Sequence, residues 1–182
     1  MFNPAEEIRV TEDTPTAYSI YEYDERSCES FQSESLKDCQ PSGSGKLQWI
    51  NVDGLRKSEV ETLCRHFQIH PLLVEDILSK GQRAKADDME VQLFALLPML
   101  SYNEDTAMVS SEQLSLVIGS NFVLSFQPDP KRDPFNPIRQ KLNKADSPIR
   151  KKGADYLAYS LIDAVVDDYF AVLEKLSTRL DN

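Results

Sequence analysis

This sequence lacks most of the devices by which a chain announces a chemical activity. Glycine is scarce, with 6 in 182 residues, and none stands in a GxGxxG or GxxxxGK[ST] pattern, which removes a loop whose backbone cradles phosphate. Only two histidines occur, His66 and His70, and there is no GxSxG or HExxH, so neither a nucleophile elbow nor a zinc-protease helix is present. Basic residues are the minority, 20 Lys and Arg against 30 Asp and Glu, for a formal net charge of −10. Such a balance argues against nucleic acid and against an anionic membrane surface as direct partners.

Long apolar runs are also missing. Stretches such as VQLFALLPML (91–100) fall well short of the roughly 20 residues that a membrane-spanning helix needs. The opening MFNPAEEIRV has no apolar core of a secretory signal. These features predict a water-soluble stretch of protein. Cysteine is odd in number, Cys28, Cys39 and Cys64, without CxxC spacing, which predicts reduced thiols in a cytoplasmic setting.

What the sequence does contain is alternation followed by a change of period. Residues 1–15 read as a poorly ordered arm. TAYSIYEYD (16–24) has strand character, CESFQSESL (28–36) is a candidate partner, and QPSGSG (40–45) is a loop. KLQWINVDG (46–54) is a strand ending in an Asp53-Gly54 turn. Val60, Leu63, Cys64 and Phe67 then fall at helical spacing, with Ser58 and Glu61 in the capping-box pattern. Pro71 is well placed for the first turn of a second helix through LLVEDILSK.

After the polar stretch 81–88 come three strand-like runs, 89–100, 112–119 and 121–127, the last two joined by a tight hairpin at Gly119-Ser120-Asn121. A loop (128–134), a short helix (134–144) and a helix from Asp155 onward complete the chain. The order predicts an α/β fold: one domain over 16–153, a mixed parallel and antiparallel sheet sandwiched by helices, and a terminal helix over 154–182.

The terminal helix carries two apolar stripes. Leu157, Leu161, Val165, Tyr169, Val172 and Leu176 form one; Tyr159, Ile162, Val166, Phe170 and Leu173 form the other. Between them Asp163 and Asp167 stand at i and i+4, with Glu174 one heptad after Asp167. Like charges so spaced cost about 0.2–0.5 kcal/mol in an exposed helix. Such a strip is either a solvated face or a set of oxygen ligands for a hard divalent cation.

Glu75-Asp76 offers a second acidic pair. Neighbours on a helix point about 100° apart, so these two cannot clamp one ion together. Cys64, His66 and His70 have the residue types of a zinc site. Pro71 nevertheless breaks the helix that would align the two histidines, and His70 stands at a cap position.

Taken in order, WINVDG (49–54), FQIHPLLVEDIL (67–78), QRAK (82–85), SSEQLSLVIGSNFVLSFQ (110–127) and GADYLAYSLIDAVVDDYF (153–170) resemble the cytoplasmic N-terminal domain of the CorA-type magnesium and cobalt transporters. One departure is Ala84, where the family pattern has proline. The resemblance implies a three-layer α/β/α sandwich whose last helix is the start of a long stalk, followed by two membrane helices bearing a Gly-Met-Asn motif. The chain would then be a fragment ending early in the stalk.

It further implies a homopentamer on the cytoplasmic side of the plasma membrane, attached through those C-terminal helices. There Mg2+, or Co2+ or another divalent cation, bridges acidic residues of adjacent protomers and favours the closed state. Carried over by position, the metal ligands are Asp76, Glu75 and Asp163. No catalytic residue is implied, and the expectation is that the chain is not an enzyme. Two other readings stand beside it: a transporter domain of the same superfamily for another ion such as zinc, and a stand-alone acidic interaction domain.

Overall fold

The computed structural model describes residues 15–129 and 133–180. The arm expected over 1–15 lies outside these, apart from Pro15.

Seven strands form one sheet in the order β2-β1-β3-β7-β6-β5-β4. In chain order they are β1 (Ala17–Tyr23), β2 (Cys28–Ser33), β3 (Leu47–Asp53), β4 (Lys85–Asp88), β5 (Leu93–Asn103), β6 (Met108–Ile118) and β7 (Phe122–Gln127). β3 and β7 pair in parallel, with Ile50 opposite Leu124, and the other pairings are antiparallel. The sheet is therefore mixed, as the order of elements predicts.

Alternation along the strands divides the core in two. Ile50, Val52, Phe94, Leu96, Val117, Leu124 and Phe126 face one side, covered by α1 (Lys57–His66) and α2 (Pro71–Leu78) through Val60, Leu63, Leu73 and Ile77. Trp49, Leu97, Met99, Leu114, Leu116 and Val123 face the other. That side is covered by α3 (Asn136–Asn143) and α4 (Ala154–Leu180) through Ile138, Leu142, Leu157, Leu161 and Val165. Helices on both faces make the three-layer α/β/α sandwich.

Three local expectations change. The capping box at Ser58 and Glu61 does not form: α1 begins at Lys57, with Arg56 as an N-cap that makes no side-chain cap bond. Leu55, buried immediately before, brings the chain into the helix early, and Arg56 pairs with Glu59 at 3.0 Å instead. The polar stretch 81–88 contains a strand, β4, whose charged composition suits a sheet edge.

The third change is at 101–111, the polar segment left between the strand-like runs 89–100 and 112–119. Most of this polar segment continues β5 and β6 as a ribbon, with Ser101 opposite Ser110 and Asn103 opposite Met108. Asn103 Oδ1 accepts from the backbone N–H groups of Asp105 and Thr106, both at 3.0 Å, and so closes the turn by side-chain chemistry. Conversely, the apolar run at 89–100 enters the sheet only at Leu93.

Candidate functional site

α2 is short and firmly placed. His70 Nδ1 accepts from Leu72 N at 3.2 Å, Pro71 occupies the first turn, and Leu73 and Ile77 are buried beneath. This fixes where the acidic pair points. Glu75 is exposed and lines the open cleft between α1 and α2, with Lys57, Glu61 and Arg65 nearby. Asp76 turns toward the sheet.

The Asp76 carboxylate, 22% exposed, accepts a hydrogen bond on each oxygen from its own chain. Lys85 Nζ, from β4, donates to Oδ2 at 2.6 Å, and Gln82 Nε2 donates to Oδ1 at 3.1 Å. The Asp76 backbone carbonyl accepts from Gln113 Nε2, on β6, at 3.0 Å. Lys85 in turn lies 3.7 Å from Asp87 Oδ2, with its ammonium 5.7 Å from the Phe94 ring centroid. The hydrogen bond to Asp76 and the charges of Asp76 and Asp87 hold the Lys85 ammonium above the usual lysine range.

Asp163 lies elsewhere. It sits on the outward face of α4, exposed, and its side chain makes no hydrogen bond or ion pair among the described residues. α2 and α4 pack on opposite faces of the sheet. Magnesium and calcium hold their ligands at about 2.0–2.6 Å, so no ion reaches Asp76 and Asp163 of the same chain together. Among the described residues no group of three His, Cys, Asp or Glu side chains is arranged around one metal position. The chemistry of the donors, carboxylate oxygen on exposed helices, suits a hard cation. A site using both aspartates needs two chains.

The Cys64, His66 and His70 residues are separated as the proline predicts. His66 Nδ1 lies 3.0 Å from Gln40 Nε2 and 3.2 Å from the Cys39 carbonyl, while His70 caps α2. The three cysteines are free thiols, and burial pushes Cys39 and Cys64 up to about 12, which leaves them protonated and inert at neutral pH.

The stripes of α4 take different roles. Leu157, Leu161 and Val165 are buried against the sheet, and the Tyr169 hydroxyl donates to the Pro98 carbonyl on β5. Tyr159, Phe170 and Leu173 are 59%, 65% and 60% exposed. Beyond Asp163 and Asp167, Asp168 is raised above the usual carboxylate range by burial and by its neighbour Asp167. Lys175 reaches back to Glu104 at 2.7 Å.

Sequence reasoning did not find Lys85, Gln82 or Gln113 as the surroundings of Asp76. Lys85 and Asp87 alternate on one face of β4, a two-residue signal too short to read before the strand is known.

No helix of the described residues is long and apolar enough to cross a membrane. The family model described as CorA-like Mg2+ transporter protein matches residues 44–182, and the chain belongs to that family. The cobalt/magnesium transport protein CorA of Thermotoga maritima is 40% identical over 166 residues, which is 90% of this chain and 46% of that protein. The chain thus spans about half the length of this relative.

Among solved structures, the soluble domain of CorA from Methanocaldococcus jannaschii shares the fold at a TM-score of 0.66 and 16% identity, over 89% of this chain and 61% of that one. The ZntB cytoplasmic domain from Vibrio parahaemolyticus shares it at 0.67 and 14%, over 90% and 64%.

Proposed function

We infer that this chain is the cytoplasmic regulatory domain of a magnesium and cobalt transporter, and that it senses divalent cations without catalysing a reaction. The 40% identity to the Thermotoga protein carries the reading. Asp76, Glu75 and Asp163 are the metal ligands. They come from neighbouring protomers of a homopentamer, so that Mg2+ bridges one chain's α2 to acidic residues of the next. Two features support the bridging: the aspartates face away from each other across the sheet, and the outer stripe of α4 is apolar and exposed.

Magnesium needs only one or two carboxylates, because it keeps several of its waters. An occupied bridge holds protomers together and favours the closed state. An empty one leaves like charges facing each other, and the assembly loosens. The membrane attachment is supplied by helices beyond this chain, on the cytoplasmic side of the plasma membrane.

Thermal melts test the ligand assignment. Millimolar MgCl2 should raise the melting temperature of the chain above that in NaCl of equal ionic strength, by linkage to the folded state. Asp76→Ala should blunt that rise. An equal rise in the variant would remove Asp76 from the ligand set, and a parallel ZnCl2 series asks which cation the domain prefers.

A further inference from the structure

We propose that Lys85 is a tethered cation that competes with the divalent ion for Asp76 and is handed over to Asp87 when the ion binds. The proposal rests on the reading of Asp76 as a metal ligand, and names how that site is regulated.

The geometry is that of an occupied carboxylate. Both Asp76 oxygens already receive donors, the ammonium at 2.6 Å and the Gln82 amide at 3.1 Å. A divalent ion on this carboxylate would stand within a few ångströms of the Lys85 ammonium, and the two cations repel, so metal binding and the Lys85 pair oppose each other. Lys85 is not a wandering surface lysine. Its backbone is held in β4 opposite Leu96, and its head lies over Phe94.

The strand also supplies the place to which it moves. Asp87 is two residues on, hence on the same face, and its Oδ2 is already 3.7 Å from Nζ. A small rotation of the lysine end transfers the ammonium from Asp76 to Asp87 without leaving it unpaired. Both aspartates then keep a counter-charge before and after exchange.

Two consequences follow from linkage. The apparent affinity for metal is lowered by whatever the lysine pair contributes, so the site responds at higher cation concentration than a bare aspartate. The empty state is also less repulsive than a count of acids suggests, because Asp76 without metal is neutralised by its own chain.

The test is an NMR titration of the 182-residue chain with MgCl2 at constant ionic strength, following the Ile77 and Gln82 amides. Lys85→Gln and Lys85→Met should lower the half-saturating concentration about threefold to tenfold, since a paired and then a repelling charge is removed. Lys85→Arg, which keeps the charge, should titrate close to the wild type and guards against a folding effect. Asp76→Asn should lose the response.

If Asp76→Asn is silent while Lys85→Gln matches the wild type, the competition is refuted and the ligand reading stands. The competition alone is refuted also if Lys85→Arg tightens as much as Lys85→Gln. Should Asp76→Asn titrate like the wild type, or should neither the wild type nor Lys85→Gln respond to millimolar Mg2+, both the ligand reading and the competition fall.

Discussion

Trp49 Nε1 donates to Ser125 Oγ at 2.9 Å across the parallel β3–β7 pair, and the same hydroxyl donates to Asn51 Oδ1 at 2.6 Å. From there Asn51 Nδ2 reaches Asp53 Oδ1 at 3.1 Å and Asp133 Oδ2 at 3.4 Å, and Gln127 Nε2 also donates to Asp53. Arg139 closes the chain by pairing with Asp133 and lying 5.5 Å over the Trp49 ring. A row of hydrogen-bonded polar side chains thus crosses the β3–β7 seam beneath α3, with Gln127 Oε1 left buried and without a partner among the described residues.

Asp53 gives this row a pH dependence. Burial raises its pKa most, Asp133 adds to that, and the Gln127 and Arg139 contacts oppose it; the net is above the ordinary 3.8. A carboxyl with a raised native pKa contributes stability that is complete below its unfolded value and is lost as pH rises through the native one. Asp53→Asn keeps an oxygen for Gln127 and removes the half-buried charge. It should melt higher than the wild type near neutral pH, and the gap should close below about pH 4. A gap that does not change with pH in calorimetric melts would show Asp53 to be unshifted.

Trp49→Phe should be costly. The ring stacks on Tyr21 at 5.1 Å and meets Phe135 edge-on at 6.0 Å, and its N–H is the donor to Ser125. Lost volume and an unpaired buried hydroxyl acceptor together should cost about 2–4 kcal/mol. Urea unfolding read by far-ultraviolet circular dichroism suits the measurement, because the chain's single tryptophan is the residue removed.

The two stripes of α4 should respond in opposite ways. Leu161, fully buried against the sheet, should cost about 2–5 kcal/mol on change to Ala. Phe170, on the exposed stripe, should change stability by less than about 0.5 kcal/mol on change to Ser. Equal losses in the two variants would mean that the outer stripe is packed within the chain.

Gly119 should not tolerate a side chain. A Cβ there would stand 2.2 Å from the Phe122 ring, which is held edge-on to Phe67 with centroids 4.8 Å apart. The ring cannot retreat without disturbing that pair. Gly119→Ala should cost about 1–3 kcal/mol, seen as a lower urea midpoint with an unchanged slope.

Much of the candidate site was legible because the residues involved sit on helices. The Pro71 start of α2, the cap position of His70 and the separation of Glu75 from Asp76 follow from local rules about one turn of chain. The Asp163–Asp167 strip and both stripes of α4 follow from helical periodicity over seven turns. The chain also read correctly at β1 and β2, at β3, and at the Gly119 hairpin, where apolar alternation or turn chemistry is strong. β4 and the far half of the β5–β6 ribbon did not. Both lie where the sheet is open to solvent, so no buried face imposes alternation on their sequence.

Sequence by itself determined which segments are helices, which faces of α4 are apolar, and that Asp163 stands on the polar strip between them. Those properties arise from interactions spanning a few residues. Tertiary structure alone decided that α2 and α4 cover opposite faces of the sheet, that Asp76 is taken by Lys85, and that Asp53 is half-buried beside Asp133. Each depends on strands distant in sequence meeting in one sheet, where the choice of neighbours is made by packing the whole core and no local pattern specifies it.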